Sequence, residues 1–189
     1  MSPNIQQRPL SYSQRLDRRC VEDINMVVIH CTELPDLAMA RVWGEKVVHT
    51  GSQTGNSGHF YVDRDGSLHQ WVPLDHVAHH VRGQNERSIG IELVNIGRYP
   101  DWYNAGHQQM SEPYPGEQVE ALIILLNHLV STLPGLEIIT GHEDLDTEML
   151  PSDDKPEIMI RRKQDPGPHF PWATITDRIS LRRLVNQSL

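Results

Sequence analysis

The chain has 189 residues, of which 38% are hydrophobic and 22% are charged, a composition typical of one globular domain with a sizeable core. Its formal net charge of -8 argues against a general nucleic-acid binder or a binder of anionic membranes, because either partner requires a basic surface. No stretch approaches the roughly 18–20 apolar residues of a membrane-spanning helix. We therefore expect neither a nucleic-acid nor a membrane partner.

The N-terminal residues predict an irregular leading segment rather than part of the main fold. Residues 1–23 are polar and contain Pro3 and Pro9, and they lack the apolar region of a secretory signal. The two cysteines of the chain imply no disulfide framework. We expect a cytoplasmic protein whose single domain spans 24–189.

The first half of that domain is predicted to be mostly β-structure. Residues 24–31, INMVVIHC, form a short β-branched run that indicates a buried strand. A helix is expected over 36–49, where the first residue is an aspartate suited to the N-cap position. The pattern over 59–72 predicts a β-hairpin with its turn at Asp65–Gly66, and 88–97 predicts a further strand.

The second half contains the clearest helix of the chain, over 115–133, where apolar residues recur at helical spacing. Residues 136–146 predict a strand that continues into a loop, 147–164 predict a charged loop, and 175–186 predict a closing helix. Strands and helices are interspersed along the chain. The predicted class is α/β, a single domain with a central mixed β-sheet flanked by helices.

Two histidines follow apolar β-runs, His30 in MVVIH and His142 in EIITGH. Each is therefore expected at or just past the C-terminal end of a strand, where ligands collect in open α/β sheets. Either histidine alone is more typical of a structural residue. Because two imidazoles on neighbouring strand ends can bind one zinc ion, the matched placement suggests a zinc site at the strand ends.

A catalytic zinc site requires a third protein ligand, and the segment 161–172 offers two. Asp165 precedes the rigid sequence PGP, although an Asp-Pro pair is also common in turns. His169 is the competing ligand. The chemistry of the side chains leaves this choice open.

Two further residues are candidates for catalysis. Glu92 is a carboxylate within the apolar strand SIGIELVN, where it is either an inward-facing general base beside the metal or a solvent-facing residue. Lys163 lies two residues before Asp165, so in an extended segment both side chains point the same way. A lysine there either stabilises a developing oxyanion or is an ordinary surface residue.

Five segments in this order resemble one family: VVIHCTE, GHFYVDRDGSLHQWVPLDHVAHH, SIGIELVN, ITGHEDLD and KQDPGP. The family is that of the AmpD-like, zinc-dependent N-acetylmuramoyl-L-alanine amidases, or type 2 amidases, which share their fold with the peptidoglycan recognition proteins. The resemblance covers roughly residues 24–172. It implies that His30, His142 and Asp165 are the zinc ligands.

The same resemblance implies a reaction and roles for three more residues. The expected activity is hydrolysis of the amide between the lactyl group of N-acetylmuramic acid and L-alanine, with peptidoglycan fragments as partners. Glu92 would be the catalytic carboxylate, Lys163 would stabilise the transition state, and His80 would bind substrate in the cleft. Residues 24–189 would then be the catalytic domain, while the oligomeric state stays open.

Two alternatives to cytoplasmic recycling of anhydro-muropeptides follow from the same likeness. One is a lytic amidase that acts on intact cell wall. The other is a non-catalytic peptidoglycan-binding module on the same fold, although the presence of all three ligands together with Glu92 and Lys163 speaks against it.

The sequence also departs from the family pattern in two places. Gly58 stands where several relatives have a tyrosine, whose role should then fall to Glu92. The segment 143–162 is longer than expected and is a candidate wall of the substrate groove.

Overall fold

A computed structural model describes residues 3–186, whose main feature is one seven-stranded sheet. Its strands are β1 (Ile5–Gln7), β2 (Met26–Cys31), β3 (Phe60–Val62), β4 (Leu68–Gln70), β5 (Ser88–Leu93), β6 (Ile138–Gly141) and β9 (Arg182–Arg183). A separate two-stranded sheet consists of β7 (Met149–Pro151) and β8 (Met159–Arg161).

The strands of the main sheet follow the spatial order β1-β4-β3-β5-β2-β6-β9. Only the β3–β4 hairpin is antiparallel among these described strands, and every other neighbouring pair is parallel. The tight turn of the hairpin contains Gly66 at a φ of +82°, a conformation that favours glycine. The predicted α/β class with a mixed sheet is therefore confirmed.

Four α-helices accompany the sheet within residues 3–186: α1 (Leu37–Gly44), α2 (Gly116–Thr132), α3 (His142–Leu145) and α4 (Trp172–Thr176). The Asp36 carboxylate accepts a hydrogen bond of 2.7 Å from the Met39 amide, which confirms the predicted N-cap of α1. None of the helices in this part of the chain is long and apolar enough to cross a membrane.

The two faces of the central strands have different surroundings. Val27 and Ile29 of β2 belong to the main core together with Leu122 and Leu126 of α2. His30 points to the opposite face, since side chains alternate along a strand. All six residues of β2 are nevertheless buried, because both faces of the strand are covered. A polar side chain can be buried here without interrupting the apolar core.

The predicted C-terminal helix over 175–186 is wrong. Helix α4 ends at Thr176, and the chain then extends as β9 beside β6. The Arg182 amide donates to the Glu137 carbonyl at 2.8 Å, and the Leu184 amide donates to the Ile139 carbonyl at 2.9 Å. The backbone hydrogen bonds gained at the otherwise free edge of β6 stabilise this strand more than the modest helix propensity of the segment stabilises a helix.

Two segments expected to be irregular contain short strands. The leading segment 1–23 contributes β1, which pairs with β4 in the main sheet. The charged loop 147–164 contains the β7–β8 hairpin. Both sets of strands are only three residues long, too short for a periodic pattern to be visible in the sequence.

Candidate active site

The site lies where three neighbouring parallel strands end. In the register of β2 and β5, His30 lies beside Glu92. In the register of β2 and β6, Ile29 lies beside Gly141, so His142 follows at the same edge. Parallel pairing thus brings together residues that are far apart along the chain.

His30, His142 and Asp165 form a compact buried cluster. The Nδ1 atoms of His30 and His142 lie 3.0 and 3.1 Å from Oδ2 of Asp165. Donor atoms of all three residues fall within 4.8 Å of one another. His169 is exposed and outside this cluster, so the structure brings Asp165, and not its competitor, to the two histidines.

A chain of hydrogen bonds fixes the tautomer of His30. The Ser88 hydroxyl donates to the Gln84 carbonyl, so Nε2–H of His80 donates to Ser88 Oγ at 3.2 Å. Nδ1 of His80 is then the acceptor for Nε2–H of His30, at 3.0 Å. The remaining His30 nitrogen, Nδ1, presents a lone pair to the Asp165 carboxylate.

This arrangement fits a bound cation. A lone pair and a carboxylate oxygen lie 3.0 Å apart in the His30–Asp165 contact, a juxtaposition that a metal ion between them would stabilise. The other carboxylate oxygen of Asp165, Oδ1, is buried and has no hydrogen-bond partner within residues 3–186. Two imidazole nitrogens and one carboxylate are a donor set that zinc commonly takes.

The protonation states of the cluster also suit metal binding. Burial, followed by the proximity of His142, lowers the pKa of His30 to about 4, so its imidazole is neutral at pH 7. Burial alone would raise the pKa of Asp165, but His142 and the charge of Lys163 hold it well below its usual value. A neutral imidazole and an ionised carboxylate are the forms that bind metals.

Glu92 is a half-buried carboxylate at the edge of the cluster. Burial, followed by the charge of Asp165, raises the pKa of Glu92 well above its ordinary value, and the charge of Lys163 opposes this shift. A Cβ atom at residue 58 would lie 2.8 Å from Cγ of Glu92. Gly58 therefore leaves the space that the Glu92 side chain occupies.

All six residues singled out from the sequence line one cavity of about 1020 Å³. They are His30, His80, Glu92, His142, Lys163 and Asp165. His80 lies at the cavity wall and also contacts His30. Its position therefore suits a second role, orienting His30, in addition to contact with substrate. From the segment 143–162, only Arg162 lines the cavity, so the β7–β8 hairpin lies beside the groove rather than forming a wall.

Residues 21–168 match the family model described as N-acetylmuramoyl-L-alanine amidase, Amidase_2. The chain belongs to this family. The predicted resemblance and the predicted enzyme class, an N-acetylmuramoyl-L-alanine amidase, are therefore both confirmed.

Individual relatives agree with the family assignment of this amidase. It is 27% identical over 174 residues to 1,6-anhydro-N-acetylmuramyl-L-alanine amidase AmpD of Enterobacter cloacae, covering 80% of this chain and 79% of that protein. A solved AmpD structure superimposes with a TM-score of 0.64 at 23% identity, covering 95% of this chain and 99% of that one. AmiD of E. coli was solved with anhydro-N-acetylmuramic acid-L-Ala-D-gamma-Glu-L-Lys. It superimposes with a TM-score of 0.62 at 25% identity, covering 82% of this chain and 57% of that one.

The amidase also contains a buried ion pair that the sequence did not reveal. Nε and Nη2 of Arg98 donate to the two carboxylate oxygens of Glu33 at 2.7 and 2.9 Å. Arg98 also donates to the backbone carbonyls of Arg161 and Arg162, at 3.0 and 3.3 Å. The pair connects the chain just after His30 with the segment that leads to Lys163 and Asp165.

No sequence signal identified this pair. Glu33 and Arg98 lie in loops after β2 and β5, where no periodic pattern applies. Only the pairing of the two strands brings the loops together.

Proposed function

We propose that this amidase depends on zinc and hydrolyses the bond between the lactyl group of N-acetylmuramic acid and L-alanine in anhydro-muropeptides. The proposal depends chiefly on the convergence of His30, His142 and Asp165 beside Glu92 at the strand ends. The name of the Enterobacter cloacae relative and the substrate in the AmiD structure support this class of substrate.

His30, His142 and Asp165 are the proposed zinc ligands. When bound at such a site, zinc lowers the pKa of water toward about 7 and polarises a carbonyl group. His80 keeps His30 in the tautomer whose Nδ1 lone pair faces the site.

Glu92 is the proposed general base and acid. It accepts a proton from water as the water oxygen attacks the amide carbon, and then delivers that proton to the nitrogen of L-alanine as the C–N bond breaks. Its raised pKa suits both steps, because the group can hold a proton between them. The products are a lactyl carboxylate and the free amine of the peptide.

Lys163 is proposed to stabilise the negative charge that develops on the carbonyl oxygen. It lines the cavity with Glu92 and Asp165, and its charge opposes the rise of the Glu92 pKa and contributes to the low pKa of Asp165, so it acts on the centre of the site. His80 is proposed to contact substrate as well as His30.

The proposed setting is recycling of anhydro-muropeptides in the cytoplasm, with peptidoglycan fragments as the binding partners. Cell fractionation tests the location. The alternative of a lytic enzyme has less support, since the Enterobacter cloacae relative is named for a 1,6-anhydro substrate.

The decisive experiment compares turnover of a purified anhydro-muropeptide with turnover of intact sacculi, read by mass spectrometry. We expect cleavage of the muropeptide between the lactyl group and L-alanine, and slow release from sacculi. Glu92→Gln should lower kcat by about 100-fold or more, whereas Glu157→Gln, at an exposed position of the β7–β8 hairpin, should retain activity. Rapid solubilisation of sacculi without preference for the soluble fragment would contradict the recycling role.

A further inference from the structure

Five cationic side chains line the cavity, and most of them are neutralised by a partner. Each of the three arginines is engaged by a carboxylate, in the pairs Arg82–Glu148, Arg98–Glu33, Arg162–Asp146 and Arg162–Glu148. Within residues 3–186, Lys46 and Lys163 form no ion pair. Lys163 has a proposed role in the reaction, so the charge of Lys46 is the one left without a function.

Lys46 is held on the cavity wall by an aromatic side chain. It follows the end of α1, and its Nζ lies 3.2 Å from the centre of the Trp43 ring, a cation–π contact. Trp43 in turn packs edge-on against Trp102, with ring centres 5.7 Å apart. Trp102 is fixed because its Nε1 donates to the Glu33 carbonyl at 3.0 Å.

The nearest acidic residue along the chain is directed elsewhere. Glu45 accepts hydrogen bonds of 2.6 Å from both Arg41 and the Ser11 hydroxyl. The Glu45 carboxylate is therefore already paired with Arg41 and Ser11, and it does not neutralise Lys46. Trp43 keeps 42% of its surface exposed, so an aromatic surface and an unpaired ammonium stand together at the cavity.

We propose that Lys46 and Trp43 form a subsite for a carboxylate of the stem peptide. This inference rests on the proposed function, because the stem peptide is the part of the substrate beyond L-alanine. The AmiD ligand shows the relevant chemistry: a glutamate linked through its γ-carboxyl keeps a free α-carboxylate, and the last residue carries another. An ammonium held against an indole ring binds a carboxylate by charge, while the ring packs against the adjoining aliphatic chain.

The charge of the whole molecule gives this subsite its importance. At a net charge of -8, the protein repels an anionic peptide at long range. An unpaired cation on the cavity wall offsets that repulsion locally. Binding energy from a distant part of the substrate also helps to hold the scissile amide in place, so the contact affects kcat/KM.

The test uses three anhydro-muramyl tripeptides: the parent with free carboxylates, one with the glutamate α-carboxylate converted to a carboxamide, and one with a C-terminal amide. Wild-type enzyme should lose about 10-fold in kcat/KM on the amide that removes the bound carboxylate. Which amide shows the loss identifies the carboxylate. Lys46→Met should lose a similar factor on the parent and no longer discriminate, whereas Lys46→Arg should restore the preference.

Lys155→Met is the matched control, because Lys155 is exposed in the β7–β8 hairpin and does not line the cavity. It should behave as wild type on all three substrates. Equal wild-type kcat/KM on the three compounds would overturn the subsite while leaving the proposed function intact. An equal fold-loss of kcat/KM by Lys46→Met on all three substrates would also overturn it. The variant would then still distinguish the free carboxylate from the amide, as a structural defect elsewhere would allow. Failure of the wild-type enzyme on all three would overturn the proposed function and this inference together.

Discussion

At the scale of single residues, the main result is that the site histidines have defined contacts that their sequence neighbours do not specify. His80 shows this best. The sequence placed two adjacent histidines after the hairpin, and the structure distinguishes them by their contacts. His80 reaches Nε2 of His30, whereas His79 packs against the ring of His49 with centres 4.5 Å apart.

A substitution of His80 tests whether it orients the proposed zinc ligand. His80→Phe keeps a planar ring but removes the acceptor for Nε2–H of His30, so the required tautomer of His30 is no longer fixed. We expect zinc affinity, measured by competition with a chromogenic chelator, to fall about 10- to 100-fold. His79→Phe is the control and should bind zinc as wild type does. Equal affinities of the two variants would contradict this role.

At the scale of elements, the site depends on how loops that follow different strands are held together. The Glu33–Arg98 pair links the loops after β2 and β5, and its side chains are only 8% and 1% exposed. Hydrogen bonds from Arg98 to two carbonyls extend that link to the segment before Asp165. A buried charge without its partner is costly, so this link is vulnerable to a single substitution.

We expect Arg98→Met to reduce the free energy of unfolding by about 3–5 kcal/mol, because it leaves the Glu33 carboxylate buried and unpaired. The double variant Glu33→Gln/Arg98→Met removes both charges and should recover part of that loss. Urea unfolding monitored by circular dichroism measures both values.

Arg178→Met is the matched control for the element-scale prediction. Arg178 and Glu120 form an exposed ion pair, with side chains 45% and 54% exposed, so its loss should have a much smaller effect. A double variant that is less stable than Arg98→Met alone would show that the burial of Glu33 is not the cause.

At the scale of the whole molecule, the proposed metal centre joins three distant parts of the chain. His30 lies next to the last residue of β2, His142 begins α3, and Asp165 lies in the loop before α4. A ligand that binds only the folded state stabilises that state, and a ligand at 100 times its Kd contributes about 2.7 kcal/mol. Zinc should therefore stabilise the complete fold and not only the site.

Removal of zinc tests this linkage. A chelator should lower the Tm of the wild-type protein, and restoring zinc should reverse the change. Asp165→Ala should contain no zinc by elemental analysis, and its Tm should not respond to chelator. His169→Ala should retain both zinc and the response, because His169 is exposed and outside the cluster. Loss of zinc from His169→Ala but not from Asp165→Ala would reverse the proposed assignment.

The sequence by itself determined the features that depend on local chemistry. Strand β2, the cap of α1, the β3–β4 hairpin and helix α2 follow from β-branched runs, turn residues and helical periodicity, all of which act over a few residues. The matched positions of His30 and His142 followed from the same patterns. The five family segments determined the enzyme class, since their order is specific even where each one is short.

Only the tertiary structure decided how these local pieces meet. The strand register placed Glu92 beside His30, and its half-buried side chain lines the cavity. Pairing with β6 converted an expected helix into β9. The ion pair between Arg98 and Glu33 likewise joins two loops that are far apart along the chain. The physical reason is that strand register and ion pairing depend on contacts between residues that are far apart along the chain. A pattern within a short stretch of sequence carries no information about such contacts.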